Sequence, residues 1–161
     1  MRNFRWIDCD DRFRLAIQHR PRSGEWLKVD LLGLKARGVD VLVSMQPEAE
    51  ANVMGLGAEP EVALEVGLEF RRFAVPDHDV PADPAAALAF AAELARDLQA
   101  GRGVLIHCFA GIGRSGTMAI LAMVECGLPL PEACARASLA RGIPVPETDA
   151  QLKWLERTLA V

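Results

Sequence analysis

Cys108 is followed six residues later by Arg114 and then by Ser115, within the string GVLIHCFAGIGRSGT over residues 103–117. A cysteine acts as a nucleophile through its thiolate, and a helix N-terminus or a nearby cation favours that form. Gly111 and Gly113 let the backbone turn sharply and bring its N–H groups close to a ligand. A helix opening at Arg114 would aim its unpaired N–H groups and partial positive charge at the same spot. Arg114 adds a planar, permanently charged fork that matches two phosphate oxygens. The occupant that suits this cradle is a phosphate dianion. It would be held by the loop Phe109, Ala110, Gly111, Ile112 and Gly113 together with Arg114. The Cys108 thiolate would then attack phosphorus in line, and the Ser115 hydroxyl could donate to the sulfur and ease its later departure. The competing reading is a buried core cysteine beside an ordinary strand–helix turn. A bare C-x5-R spacing leaves that reading alive; the full string, in a strand–loop–helix context, is far more specific.

Phosphoester cleavage also needs a proton for the leaving oxygen, and a carboxylic acid on a loop over the site can supply it. The segment VPDHDVPAD over residues 75–83 offers Asp77, Asp79 and Asp83. Asp83 precedes Pro84 at a helix start, where an N-cap role accounts for it. His78 reads as a solvated loop residue or as one touching the acids or the substrate. His19 reads as structural or exposed.

The elements that must carry these residues are legible from periodicity and punctuation. Phe4–Ile7 and Arg12–Gln18 read as two short strands across the turn 8–11. Residues 25–37 have Trp26, Val29, Leu32 and Ala36 at helical spacing, with Gly38 closing the helix. Residues 39–44 (VDVLVS) are a buried strand. Residues 47–67 carry one or two short helices split near Gly55-Leu56-Gly57, and 69–75 another strand. An Ala/Leu-rich helix over 85–100 ends at Gly101, and 103–107 is a short apolar strand. Helices are predicted over 114–126, 131–140 and 147–160, the last capped by Thr148 or Glu147. Strands and helices alternate, which predicts an α/β layer fold with a mostly parallel central sheet flanked by helices. The loop after strand 103–107 lies where such sheets bind ligands.

The chain has 161 residues, 51% apolar and 25% charged, a size and balance that suit one domain over 1–161. The segment Met1-Arg2-Asn3-Phe4-Arg5-Trp6, followed by acids, does not read as a signal peptide. No apolar run is long enough to span a bilayer. Net charge is −4, and no run of Lys or Arg would track a nucleic-acid backbone or an anionic membrane. Arg12, Arg14, Arg20 and Arg22 read as solvated, although some could meet an anionic substrate. Cys9, Cys126 and Cys134 read as small buried hydrophobes. The four cysteines show no C-x-x-C pairing and no nearby second histidine, so no metal site is expected. A soluble, cytoplasmic monomer is expected, binding neither nucleic acid nor membrane.

The string HCFAGIGRSGT resembles the H-C-x5-R-[ST] signature of protein tyrosine phosphatases, and looks most like their compact dual-specificity branch. The segments 20–27 and 34–44, the loop VPDHDVPAD and PVPETDAQ near the end are similar to that branch as well, so the likeness spans most of the chain. It implies a two-step phosphomonoester hydrolysis through a phosphocysteine, without metal or cofactor, on a phosphorylated protein or a small phosphomonoester. It also implies the dual-specificity phosphatase fold. Asp77, between Pro76 and Pro81, fits the family's placing of the acid; Asp79 is the alternative. His107 is similar to the family histidine that orients the loop by a hydrogen bond to its backbone. Gln151 matches a glutamine that positions water in some relatives, the other reading being an exposed helix residue. Relatives acting on highly phosphorylated inositides carry lysines in the loop, and Phe109, Ala110 and Ile112 supply none. That favours a protein or aryl phosphate, with an inositol or small-molecule phosphate as the alternative. A catalytically weak phosphate-binding module would be expected to lack Cys108, Arg114 or the loop acid. A rhodanese-type sulfur transferase would lack the Arg-Ser pair and the upstream acid. A low-molecular-weight phosphatase would place the cysteine near the N-terminus.

Overall fold

A computed structural model describes residues 3–160; Met1, Arg2 and Val161 lie outside the described residues. The chain runs β1 (Leu15–Gln18), α1 (Glu25–Ala36), β2 (Val41–Ser44), α2 (Glu48–Val53), α3 (Glu59–Glu65), β3 (Glu69–Arg72), α4 (Pro84–Gln99), β4 (Val104–His107), α5 (Arg114–Glu125), α6 (Leu130–Arg141) and α7 (Asp149–Leu159). The four strands form one sheet in the order β1-β4-β2-β3, and all three pairings are parallel. The predicted α/β fold is therefore the observed one. None of the helices formed by the described residues is long and apolar enough to cross a membrane.

Alternation along the strands sorts the core into two layers. Leu15, Ile17, Val41, Val43, Val104 and Ile106 face one side, packed with side chains of α4, α5, α6 and α7. Ala16, Leu42 and Leu105 face the other, packed with Leu27, Leu31 and Leu34 of α1, Ala51 of α2 and Ala63 of α3. Each fully buried Leu or Ile contributes roughly 1.5–3 kcal/mol relative to exposure. Helix α5 is buried on every side from Arg114 to Met123, which fixes where its N-terminus points. The two central strands, β4 and β2, are buried throughout, as their unbroken apolar runs predict.

The N-terminal hairpin is the expectation that fails. Phe4–Ile7 forms no strand, and regular pairing starts only at Leu15. Asp10 and Asp11 both adopt left-handed backbone (φ 56° and 57°). Among the described residues one backbone bond, Ile7 N–H to the Leu15 carbonyl at 2.7 Å, joins the two segments. Arg14 instead gives its carbonyl to Val104 N–H, so this part of the chain pairs inward with β4. Regular β3 also stops at Arg72, short of the predicted Val75, although Phe73 and Val75 still donate to the Ser44 and Met45 carbonyls. The helices shift by one or two residues at their ends. Asp83 does cap α4, its carboxylate accepting from Ala86 N–H. Thr148, rather than Glu147, caps α7.

Candidate active site

Strand β4 delivers Cys108 to the carboxyl edge of the sheet, and the chain turns through residues 108–113 into α5. Cys108 is almost fully buried. Its Sγ accepts the Gly111 N–H at 3.3 Å and lies 3.2 Å from Ser115 Oγ. The sulfur thus faces a backbone donor and a hydroxyl that can give or take a hydrogen. Gly113 is the N-cap of α5 and supplies no side chain, so the first-turn N–H groups are not closed off by a capping group.

The loop is held from outside by its carbonyls. Arg141, at the end of α6, donates from Nε to the Gly111 carbonyl at 2.9 Å and from Nη2 to the Ala110 carbonyl at 3.1 Å. Arg20 N–H donates to the Phe109 carbonyl at 3.2 Å, and Thr117 Oγ1 donates to the Gly113 carbonyl at 2.9 Å. With its carbonyls tied outward, the loop is free to turn its N–H groups to the enclosed side, the geometry of an anion nest. Gly111 has φ +74°, and a Cβ there would lie 2.2–2.4 Å from the Gln18 and His19 backbone. The glycine is therefore required twice over, for its backbone angle and for the close approach of the chain leaving β1.

Arg114 is buried, and its two terminal nitrogens are used differently. Nη1 donates to the Glu50 carboxylate at 3.0 and 3.2 Å and to the Val75 carbonyl at 2.9 Å. Nη2 lies 3.0 Å from Asp77 Oδ1 as an ion pair. That contact is off the N–H direction, and Nη2 has no aligned acceptor among the described residues. The guanidinium is thus anchored by hydrogen bonds through one arm, with the other paired to Asp77 by charge alone.

The loop over the site separates the two candidate acids. Asp77 is half exposed and reaches Arg114. The Asp79 carboxylate folds back on its own turn, accepting Val80 N–H at 2.8 Å. His78, between them, has left-handed backbone (φ 61°). Its ring lies 3.7 Å from Asp77 Oδ2 and 3.6 Å from Glu147 Oε2. Gln151 is fully buried, not exposed. It completes a capping box with Thr148 and donates from Nε2 to the Asp79 carbonyl at 3.4 Å. A Cβ on Gly113 would sit 3.0 Å from that Nε2, so Gln151 borders both the loop after β4 and the loop that carries Asp77 and Asp79.

Phe109 and Ala110 are exposed at the rim, and Ile112 packs partly into the core. The Arg20 guanidinium lies 5.3 Å from the Phe109 ring centroid, a cation–π contact. Arg22 is engaged elsewhere, paired with buried Asp30 at 2.7 Å. Beside the loop, Asn3, Arg5, His19 and Arg141 line a cavity of about 480 Å³. His107 faces away from the cavity and pairs with Glu59. Burial pushes the other thiols up, Cys9 to about 11 and Cys126 and Cys134 in the same direction.

Three contributors, Glu50, Glu59 and Arg141, escape sequence reasoning. Each sits in a helix, and none has a motif spacing relative to Cys108.

Residues 1–157 match the family described as PTP-SAK, Swiss Army Knife protein, DSP-PTPase phosphatase domain. A stretch of 49 residues is 45% identical to the receptor-type tyrosine-protein phosphatase V of Rattus norvegicus, covering 29% of this chain and only 3% of that protein. Among solved structures, kinase associated phosphatase with its catalytic-site cysteine replaced by serine superposes with a TM-score of 0.85 at 19% identity, over 98% of this chain and 96% of that one. Tk-PTP in its active form gives 0.77 at 26% identity, over 98% and 96%. PTPMT1 in complex with PI(5)P gives 0.74 at 22% identity, over 96% and 93%.

Proposed function

Because the chain belongs to the PTP-SAK family of DSP-type phosphatase domains, we propose that it is a phosphatase working through a phosphocysteine on Cys108, with residues 1–161 forming one catalytic domain. The observation that carries this reading is the pairing of a sulfur that accepts the Gly111 N–H and lies within hydrogen-bond reach of the Ser115 hydroxyl with an anchored guanidinium whose Nη2 has no aligned acceptor among the described residues.

The phosphate of the substrate sits among the loop N–H groups of residues 109–114 and the Nη2 arm of Arg114. The Cys108 thiolate attacks phosphorus; the S–P bond forms as the ester P–O bond breaks. Charge spreads over the equatorial oxygens, where loop dipoles and the guanidinium stabilise it. The Asp77 carboxylic acid passes its proton to the leaving oxygen. In the second step a water, bordered by Gln151, attacks phosphorus and gives a proton to the Asp77 carboxylate. The S–P bond then breaks and the Ser115 hydroxyl donates to the departing thiolate. His107 orients the loop and takes no part in proton transfer.

A phosphorylated protein or simple aryl phosphate is the substrate class supported by the exposed Phe109 rim and the lysine-free loop. One observation favours a second reading, an inositol phosphate: Arg5, His19 and Arg141 gather at the cavity beside the loop. Turnover of phosphotyrosine and phosphothreonine peptides against inositol phosphates, with Cys108→Ser as control, tests both readings. Hydrolysis retained in Cys108→Ser would overturn the phosphocysteine mechanism.

A further inference from the structure

Alternation along β4 turns His107 and Cys108 to opposite faces of the sheet. Cys108 joins the layer of α4, α5, α6 and α7, whereas His107 points with Leu105 into the layer of α1, α2 and α3. His107 therefore reaches the nucleophile through the backbone and not through the sulfur. Its Nδ1 lies 3.4 Å from the Cys108 carbonyl oxygen, a long contact. Its Nε2 lies 2.5 Å from Glu59 Oε1. Both side chains are fully buried, and Glu59 Oε2 has no hydrogen-bond partner among the described residues.

We infer that Glu59 is a positioning residue for the phosphate loop, acting by fixing the ring and tautomer of His107. The Cys108 carbonyl is only an acceptor, so the contact at Nδ1 needs a hydrogen on Nδ1. The contact at Nε2 needs one hydrogen between nitrogen and carboxyl oxygen. An imidazolium facing a carboxylate satisfies both, and so does a neutral Nδ1–H imidazole accepting from a carboxylic acid. In either arrangement Glu59 leaves Nδ1–H as the form that faces Cys108. Without it the ring could turn Nδ1 as a bare lone pair toward that carbonyl, two acceptors facing each other. The Cys108 peptide would then lose its orientation, and the Gly111 N–H and Ser115 Oγ contacts to the sulfur depend on it. A half-satisfied buried carboxyl group is costly in an apolar layer. A role that only filled space would be met better by leucine.

This inference rests on the phosphatase reading for its kinetic arm but not for its spectroscopic one. Glu59→Leu and Glu59→Gln are compared with the native chain, using isotope-labelled histidine in nitrogen–proton correlation spectra. His19, His78 and His107 are the only histidines, and His107→Asn assigns the signal. The native chain should show a proton on His107 Nδ1, lost or tautomerically mixed in Glu59→Leu and retained in Glu59→Gln, whose amide can still give a hydrogen to Nε2. Turnover of p-nitrophenyl phosphate should fall about tenfold or more in kcat/KM for Glu59→Leu and stay within about threefold for Glu59→Gln, with thermal stability of the leucine variant equal or higher. A native His107 with bare Nδ1, or a folded leucine variant with native turnover, overturns the inference. If Glu59→Leu does not fold, the native and Glu59→Gln spectra and the Gln kinetics still decide. If the native chain hydrolyses nothing, the phosphatase reading fails while the spectra still judge the pairing.

Discussion

The carboxylate of Asp77 stands 3.0 Å from Arg114 Nη2, while that of Asp79 is spent on the N–H of Val80. Asp77 likewise accepts the N–H of the next residue, His78, at 3.0 Å, so what separates the two acids is the Arg114 contact, which Asp77 makes. Replacing Asp77 by Asn should lower kcat for a phenolic phosphate by roughly 10²–10³ and remove the basic limb of its pH–rate profile. The loss should shrink for p-nitrophenyl phosphate, whose leaving group needs less protonation. Asp79→Asn should stay within a few-fold. Steady-state kinetics on both esters check this, and a larger effect at Asp79 would reverse the assignment.

Thiol chemistry should single out one cysteine of four. Burial raises Cys9 to about 11, so at about pH 7.5 fewer than roughly one in a thousand of its side chains is a thiolate. Cys126 and Cys134 are shifted the same way by burial. Iodoacetamide should label Cys108 first, and inorganic phosphate should slow the labelling by occupying the loop. Peptide mapping by mass spectrometry reads the site. Equal early labelling of Cys9 would contradict the picture.

Two glycines with left-handed backbone should respond very differently to alanine. Gly24 (φ +64°, ψ −138°) faces open space, so Gly24→Ala should cost about 1–3 kcal/mol of stability from backbone strain alone and leave turnover unchanged. At Gly111 (φ +74°) the new methyl would press on the Gln18 and His19 backbone. Gly111→Ala should therefore lower kcat/KM by about 10²-fold or more, because the whole loop has to move. Thermal melts beside kinetics separate the two effects.

Acid should loosen the β3 edge. For Glu69 the largest influence is the Arg102 hydrogen bond, which with Arg71 outweighs desolvation and holds the carboxyl below its ordinary range. For Asp97 desolvation is largest and pushes upward, but the bonds from Arg71 and Arg102 overcome it, again to a lowered value. Carboxylates depressed in the folded state contribute stability above their unfolded values of about 3.9–4.3. That contribution is lost as pH falls through the folded values. Tm should drop below about pH 4, and Arg71→Ala should flatten that dependence. A variant with the native pH slope would exclude these pairs as its source.

Much of this architecture was legible in the order of residues. The GVLIH strand, the glycines of its loop and the apolar helix after Arg114 are local patterns, and local backbone preference set them. The Phe4–Ile7 strand was misread because β-propensity there competed with Asp10 and Asp11 in left-handed backbone and with β4, a partner ninety residues away in sequence by rough count. Gln151 read equally well as surface or site, since a capping-box glutamine and a solvated one look alike until the acid loop packs on it. Glu50 and Glu59 were invisible for a deeper reason. Each is marked only by a partner far away in sequence, Arg114 for Glu50 and His107 for the buried Glu59, and no local spacing encodes such pairs.

Strand β4 has β1 as its sole neighbour on one side, and the chain leaving β1 presses on Gly111 and holds the Phe109 carbonyl. One wall of the proposed phosphate cradle is thus made from residues 18–20. Mechanical load on that segment, from a fusion or a tethered neighbour, would act directly on the cradle. It would also expose β4 as a bare edge open to another strand. On the proposed mechanism, turnover would therefore gauge how firmly residues 15–20 are docked.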